Sequence, residues 1–196
     1  MYNATSKPPI MSKLIPRLSQ EELHPELEAF LRPRIVRLGY LGEFFQCTAH
    51  QPEALLSFLE FTDHLKHALP NNLTEVVSLT VAQLADNRYE RVQHERLSLK
   101  LGFGENWVRE VLSLSENGTG ILSEQEVLVQ RLVVAVVDRR GHDTTPELEA
   151  VIRSIGPAMT IAVLMLIGRY MSHAMIVNAL NLPAPVPSPL ETKPCR

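Results

Sequence analysis

The stretch EVVSLTVAQLADNRYERVQHERLSLKLG, from Glu75 to Gly102, predicts two consecutive helices in the middle of the chain. An apolar run follows Glu75, and a polar segment that starts at Asn87 ends at Gly102. Asn87, Glu90 and His94 are three and four residues apart, so on a helix they form one polar stripe. The spacing alone is typical of a solvated helix face, and other observations must decide whether the stripe carries chemistry.

The stripe contains the residue types that general acid–base chemistry needs. A carboxylate at Glu90 beside the imidazole of His94 favours the imidazolium form and orients the ring. Such a pair holds a proton near neutral pH and can transfer it, and Asn87 could donate a hydrogen bond to a developing oxyanion. Glu75 also has a structural interpretation, because it follows Asn72 at capping-box spacing and a carboxylate at a helix start suits the macrodipole.

Helical periodicity continues along most of the chain, so we expect one all-α domain of about eight helices over residues 19–181. Capping boxes at Ser19 and Ser123, and a proline at position 52, mark helix starts. The segment RIVRLGYLGEFFQCTAH, residues 34–50, predicts one irregular or kinked helix because it holds two glycines. Residues 1–18 are expected to be extended, and the Pro-rich tail 182–196 either drapes over a surface or is disordered.

Composition and charge argue against several classes of function. The 196-residue chain has a formal net charge of −3, so no basic field favours nucleic acid. The N-terminus lacks the apolar segment of a signal peptide. Arg169 and His173 interrupt the apolar residues 155–180, which favours a buried helix over a membrane span. Cys47 and Cys195 form no CxxC, so we expect reduced thiols and a cytoplasmic location.

Residues 75–102 resemble the core of the carboxymuconolactone decarboxylase family, within the wider alkylhydroperoxidase AhpD-like superfamily. The shared outline is Glu75 at the start of an apolar helix, the pair Tyr89-Glu90, His94 four residues later, and Gly102 at the end. The segments GEFFQCTAHQPEALLSFLEF and LIGRYMSHAMIVNALNLPAP extend the resemblance over roughly residues 14–186. The resemblance implies an AhpD-like orthogonal bundle of several helices that assembles into homo-oligomers, either trimers or hexamers.

One departure from the superfamily pattern bears on the reaction. Peroxidase members carry CxxCxxxH, and alignment on His94 places those cysteines at Asn87 and Glu90, where this chain has no sulfur. A dithiol reductase needs two thiols within bonding distance, so thiol peroxidase activity is not expected. The pattern with Glu in place of Cys is that of decarboxylase-type members, which use no metal and no organic cofactor.

The resemblance implies a cofactor-independent decarboxylase, a carbon–carbon lyase, acting on a small carboxylated lactone-like or unsaturated metabolite. His94 is then the expected proton donor or shuttle, Glu90 the residue that tunes and orients it, and Glu75 a second acid–base or orienting group. Substrate-binding roles are expected for side chains that offer hydrogen bonds or positive charge: Asn87, Tyr89, Arg91, His50, Arg169 and His173. Two alternatives stay open, a cofactor-free isomerase or cyclase on a related metabolite, and a non-enzymatic oligomer with a vestigial site.

Overall fold

The computed structural model describes residues 14–115 and 119–191, which contain eight α-helices, one short 3-10 helix and no strand. The prediction of an all-α fold with about eight helices is therefore confirmed. The α-helices are α1 Pro25–Leu38, α2 Glu43–Thr48, α3 Pro52–Ala68, α4 Asn71–Leu84, α5 Arg88–Lys100, α6 Glu105–Ser113, α7 Glu124–Asp138 and α8 Thr145–Ala179.

Helix α4 lies at the centre of the bundle, where it packs against α5, α6, α7 and α8. Ten consecutive residues of α4, numbers 73–82, are buried, so this helix is covered on all sides. A helix that is hydrophobic around its circumference belongs in a core. Four polar residues, Thr74, Glu75, Ser78 and Thr80, are buried along with the apolar ones, and Glu75 becomes important for the site.

A second, smaller core lies under α1, α2 and α3, where Leu27, Leu31, Phe44 and Leu59 are almost fully buried. Full burial of each such side chain contributes about 1.5–3 kcal/mol. Tyr89, near the start of α5, and Val177, near the end of α8, also belong to this core. A cavity opens between this core and α5.

The structure corrects the prediction of one kinked helix over residues 34–50. Helix α1 ends at Leu38, and Gly39 follows with φ 81°, the left-handed conformation that glycine adopts without a Cβ penalty. A new helix, α2, starts only at Glu43. The capping box at Ser19 does form, with the Ser19 amide donating to Glu22 (2.8 Å), but it opens only a 3-10 turn.

Helix α8 carries a break at Gly156, whose φ of 79° is not helical, with Pro157 directly after it. It is also the one helix in the described ranges with the length and mean hydropathy (2.0) that a membrane span requires. A core helix passes the same test, and α8 packs against α3, α4 and α7. The cytoplasmic location expected from the sequence stays a prediction.

The Pro-rich tail packs on the helices as far as Glu191 and contains no helix between residues 182 and 191. Ser188 donates to the buried carboxylate of Glu95, and Arg88 forms an ion pair with Glu191 (2.8 Å). Of the two alternatives for the tail, these contacts favour the draped one. Residues 1–13 and Cys195 lie outside the described residues, so the extended N-terminal segment and the reduced Cys195 thiol stay predictions.

Candidate functional site

A cavity of about 740 Å³ is lined by residues of α1, α2, α3, α5 and α8 and by two residues of the tail. Five of the residues expected at a site from the sequence line it: Tyr89, Glu90, His94, Arg169 and His173. Glu75 and Asn87 lie directly behind this wall and contact it through hydrogen bonds. The sequence stripe therefore faces a cavity and not solvent.

His94 on α5 is held by Glu75 on α4. The ring Nδ1 lies 2.8 Å from Glu75 Oε2, and both side chains are buried, at 5% and 2% exposure. The Ser98 hydroxyl donates to the same carboxylate oxygen (3.1 Å). An ionised carboxylate only accepts hydrogen bonds, so Nδ1 carries a proton in this arrangement and the neutral ring keeps its lone pair on Nε2.

This geometry corrects the expectation that Glu90 orients His94. Glu90 Oε2 lies 3.8 Å from His94 Nε2, close enough for charge attraction but too far for a hydrogen bond. Glu75 is the orienting group, and it lies inside α4 instead of capping its start, because α4 begins at Asn71 after Pro70. The two helices pack on each other, which brings together residues 19 positions apart in sequence.

The other ring nitrogen of His94 contacts Tyr170 on α8. The Tyr170 hydroxyl lies 3.1 Å from Nε2, and the two rings meet edge to face with centroids 5.3 Å apart. Tyr170 is 1% exposed, and burial raises the pKa of its phenol. A chain of hydrogen bonds thus runs from Glu75 through His94 to Tyr170.

Glu90 belongs to a different set of contacts, with Arg169 and His173 on α8. Arg169 Nη1 donates to Glu90 Oε1 (3.1 Å), and His173 Nε2 lies 3.3 Å from the same oxygen. Burial by itself would raise the pKa of Glu90, but the neighbouring His173 ring and the charge and hydrogen bond of Arg169 outweigh it and hold that pKa well below its ordinary range. Glu90 is therefore a fixed anion at neutral pH.

Arg169 is in turn held on several sides. Its Nε donates to the Thr62 hydroxyl (2.9 Å), and its guanidinium lies 4.3 Å from the centroid of the Tyr170 ring and 4.9 Å from that of Phe58. Cation–π contacts of this kind stabilise a desolvated cation. The side chain is 8% exposed, so its charge is neutralised mainly by Glu90.

His173 is neutral at pH 7, because burial lowers its pKa to about 4 despite the opposing charge of Glu90. The Asn87 side-chain amide contacts His173 Nδ1 (3.3 Å) and donates to it, which places the ring proton on Nε2 beside Glu90. Asn87 Oδ1 accepts from the Glu90 amide (3.1 Å) and caps α5. Both ends of the Asn87 amide are thus engaged within the protein, and its expected contact with an oxyanion stays a prediction.

Tyr89 lines the cavity, and its hydroxyl accepts a hydrogen bond from the Phe44 amide at the start of α2 (3.4 Å). A Cβ added at Gly42 would lie 2.5 Å from the same hydroxyl, so the close approach of α2 requires glycine there. Burial raises the pKa of the Tyr89 phenol.

His50 and Arg91 do not line the cavity, so the structure does not bring them together with the other residues expected to bind substrate. His50 is exposed at the end of α2, and its Nε2 contacts the backbone oxygen of Pro16 (2.9 Å). Arg91 projects from another side of α5, where its Nε lies 3.3 Å from Glu95 and its Nη1 donates to Gln83.

The lining of the cavity carries an excess of positive charge, although the chain as a whole has a net charge of −3. The lining cations are Arg34, Arg37, Lys66, Arg96, Lys100 and Arg169, against the two carboxylates Asp63 and Glu90. Arg34 pairs with Asp63 (2.6 Å), and Arg169 pairs with Glu90. The other four cations have no ion-pair partner among the residues that the structure describes, so the cavity attracts anions.

Metal-binding geometry is not found in the described parts of the chain, where no group of three or more His, Cys, Asp or Glu side chains could hold an ion. Cys47, the described cysteine, is buried on α2 and does not line the cavity. Burial raises the pKa of its thiol, which opposes nucleophilic chemistry.

Comparisons with known proteins identify the fold. No protein-family model matches the sequence, and no curated protein matches it. Among solved structures, an uncharacterized peroxidase-related protein from Ralstonia eutropha JMP134 with an alkylhydroperoxidase AhpD core is similar, with a TM-score of 0.75 and 12% identity over 86% of this chain and 90% of that one. The chain thus has an AhpD-like fold, and the expected fold class is confirmed.

Two further solved structures agree with this fold. The debrominase Bmp8 is similar with a TM-score of 0.74 and 16% identity over 88% of this chain and 92% of that one. Another structure of that debrominase holds a cysteine-to-alanine variant in complex with 2,3,4-tribromopyrrole. A protein of unknown function from Agrobacterium tumefaciens has a TM-score of 0.62 and 14% identity, over 71% of this chain and 96% of that one.

Sequence reasoning missed Tyr170 and Ser98 in the hydrogen-bonded cluster around His94, and also the lining cations Arg34, Arg37, Lys66, Arg96 and Lys100. Tyr170 follows Arg169 directly, and His173 comes one turn later, all within an otherwise apolar helix. Three polar or aromatic groups on one side of such a helix indicate a buried polar site, and that signal could have found Tyr170. Ser98 is four residues after His94 on α5, a spacing that places both on one face.

Proposed function

We propose that this chain is a cofactor-independent decarboxylase, a carbon–carbon lyase, acting on a small carboxylated lactone-like or unsaturated metabolite. The observation that carries the proposal is the buried Glu75–His94 pair in the wall of a cavity whose lining is cationic. A carboxylate-oriented imidazole is suited to move a proton, and unpaired cations are suited to attract a carboxylate.

Decarboxylation makes two demands on the protein. Cleavage of the bond to CO2 leaves an electron pair on carbon or on a conjugated oxygen, and a proton must then reach the correct carbon. The imidazole of His94 supports the proton transfer, because Glu75 stabilises the imidazolium that forms in the cycle. The four lining cations without an ion-pair partner among the described residues, Arg37, Lys66, Arg96 and Lys100, supply positive charge near the developing anion.

The pattern of residues favours proton transfer over thiol chemistry. The debrominase with the same fold was crystallised with its ligand as a cysteine-to-alanine variant, whereas the described lining of this cavity contains no cysteine. Asn87 and Glu90 stand where the peroxidases of the superfamily carry their dithiol, and both side chains are engaged by α8. Thiol peroxidase activity is therefore not proposed for this chain.

The proposal is tested by incubating the protein with carboxymuconolactone and with a panel of β-keto and β,γ-unsaturated carboxylic acids. We expect release of CO2 from at least one acid, together with uptake of one solvent deuterium into the product. Deuterium uptake without CO2 would overturn the lyase assignment in favour of a cofactor-free isomerase or cyclase. No turnover of any acid would support the non-enzymatic alternative, and rapid peroxide reduction with a dithiol would contradict the argument from missing cysteines.

We also propose that the chain forms a homo-oligomer, a trimer or a hexamer. Supporting this, one face of α8 exposes large apolar side chains, with Ile161, Met165 and Met175 exposed by 55%, 45% and 62%. Exposed apolar residues in a row are typical of a surface that is covered in the assembly. Light scattering after size-exclusion chromatography should give a mass of three or six chains, and Met165→Lys should lower it. A monomer for the parent protein would contradict the proposal.

A further inference from the structure

The lone pair of His94 Nε2 is not open to a ligand. Glu75 occupies the Nδ1 side of the ring, and the Tyr170 hydroxyl lies 3.1 Å from Nε2 on the other side. Tyr170 and His94 both line the cavity, and both are at least 95% buried by the protein. A substrate that needs a proton from this site therefore meets a histidine whose two nitrogens are already hydrogen-bonded.

We propose that Tyr170 is the catalytic residue that exchanges a proton with the substrate, and that His94 and Glu75 act behind it as a relay. This inference rests on the proposed acid–base function of the site and names the group through which that function is exerted. A phenol can donate one hydrogen bond and accept others, so its oxygen can contact His94 and a ligand at the same time.

In the direction of decarboxylation, the substrate takes up one proton for each CO2 that it releases. His94, neutral in the resting site, first takes up one solvent proton at Nε2 while Nδ1 still donates to Glu75. The bond between the substrate carbon and CO2 breaks, and the electron pair stays on the substrate. The Tyr170 O–H then transfers its proton to that carbon, the imidazolium transfers its Nε2 proton to the phenol oxygen, and His94 is neutral again. No oxidant, reductant or cofactor enters this sequence.

The surroundings of Tyr170 favour concerted transfer of the two protons over formation of a free phenolate. Burial raises the pKa of this phenol, so a long-lived phenolate is unfavourable at neutral pH. The guanidinium of Arg169, 4.3 Å from the ring centroid, offsets part of that effect. The charged or titratable groups that act on the phenol come from every helix around it: Lys66 on α3, Glu75 on α4, Glu90 and His94 on α5, and Arg169 on α8.

The kinetic test uses Tyr170→Phe and the full-length protein with 3,5-difluorotyrosine at position 170, assayed on the acid that the parent protein decarboxylates. Tyr170→Phe should lower kcat by about 100-fold or more with KM within about threefold, because it removes the donor and keeps the ring. The difluorotyrosine protein keeps the hydroxyl and should shift the alkaline limb of the kcat–pH profile to lower pH. Near-parental kcat for Tyr170→Phe, or an unshifted profile, would overturn the inference.

A second measurement needs no substrate, so it separates this inference from the proposed function. In protein with ¹⁵N-labelled histidine, the Nε2 resonance of His94 should move toward that of an unbonded imidazole nitrogen in Tyr170→Phe. Tyr40→Phe is the matched control, since it removes a phenol that lines the same cavity without contacting His94, and it should leave the resonance in place. An unchanged Nε2 resonance in Tyr170→Phe would overturn the Tyr170 relay, whereas absence of turnover in the parent protein would overturn the proposed function alone.

Discussion

Glu75 and Glu90 are two buried carboxylates on neighbouring helices, and both lie near the same imidazole, yet their surroundings differ. Glu75 is contacted by His94 (2.8 Å) and by the Ser98 hydroxyl (3.1 Å). Glu90 is contacted by Arg169 (3.1 Å) and by the Nε2 of His173 (3.3 Å). The first carboxylate has no fixed cation among the partners that the structure describes, whereas the second has a permanently charged arginine.

The difference assigns separate tasks to the two carboxylates. A carboxylate that is hydrogen-bonded to an imidazole stabilises the protonated ring. The Glu75 cluster, which consists of Glu75, His94, Ser98 and Tyr170, is therefore suited to proton transfer. A carboxylate that is paired with arginine stays ionised across the physiological pH range, so the Glu90 cluster holds the position of α8 against α5. A variant that disrupts one of these clusters should therefore leave the other intact.

The largest effect is expected from His94→Asn, which removes the ring between Glu75 and Tyr170. Loss of a general acid–base group lowers rates by about 10²–10⁴-fold, so CO2 release should fall by at least 100-fold. The control is His50→Asn, an exposed histidine outside the cavity, which should keep the parental rate. A His94→Asn protein with the activity of the control would contradict the role of the Glu75 cluster.

The next effect concerns stability, in a comparison of Glu90→Gln with Glu75→Gln. Removing one partner of a buried ion pair costs about 3–5 kcal/mol, because the charge of Arg169 loses its counter-ion. Glu75→Gln loses hydrogen bonds to a carboxylate and should cost about 2 kcal/mol. Urea denaturation at pH 7 measures both free energies of unfolding. A larger loss for Glu75→Gln than for Glu90→Gln would show that the structural and chemical tasks are assigned the wrong way round.

The third prediction uses pH, because burial lowers the pKa of His173 to about 4 from its ordinary 6.5. Between these values the unfolded chain binds a proton on this ring that the folded chain does not, so the free energy of unfolding falls as the pH falls. Stability from this group is fully present above about pH 6.5, and about 3 kcal/mol of it is lost by pH 4.

Urea denaturation of the parent and of His173→Gln over this range gives the contribution of the ring as the difference between the two slopes. The parent should lose more stability on acidification than the variant. Equal slopes would mean that His173 is solvated or charged in the folded protein.

The smallest effect is expected from Ser98→Ala, which removes the second hydrogen bond to Glu75. We expect a loss of about 1 kcal/mol in stability and a change of a few-fold in kcat. The matched variant is Thr62→Val, which removes the hydroxyl that accepts a hydrogen bond from Arg169 Nε and should cost a similar amount of stability. Only Ser98→Ala should alter the ¹⁵N resonances of His94. Altered His94 resonances in Thr62→Val would mean that the two clusters are not separate.

Local sequence patterns were sufficient for the helices and for part of the stripe. Pro52 at the first position of α3 and the Ser123 capping box at α7 mark helix starts that the structure has. The i, i+4 spacing correctly places Glu90 and His94 on one face of α5, where Glu90 Oε2 lies 3.8 Å from His94 Nε2. The break between α1 and α2 was missed, although Gly39 is the residue type that favours a left-handed helix end.

The partners within the site could not be predicted in the same way, because they come from three different helices. Arg169 and Glu90 are 79 positions apart, and Tyr170 and His94 are 76 apart. Which acid orients His94 depends on the packing of α4 on α5, and no spacing within α5 reports it. His50 was expected at the cavity from its motif alone, but its ring turns to the backbone of Pro16.

The most direct test of the division between the two carboxylates is the ¹⁵N spectrum of His94 in Glu75→Gln and in Glu90→Gln, recorded on folded protein at pH 7. If Glu75 holds the ring, Glu75→Gln will change the Nδ1 resonance and its bonded proton, whereas Glu90→Gln will leave Nδ1 close to its parental position. A Nδ1 resonance that changes with Glu90→Gln and is unaffected by Glu75→Gln would contradict the proposed relay.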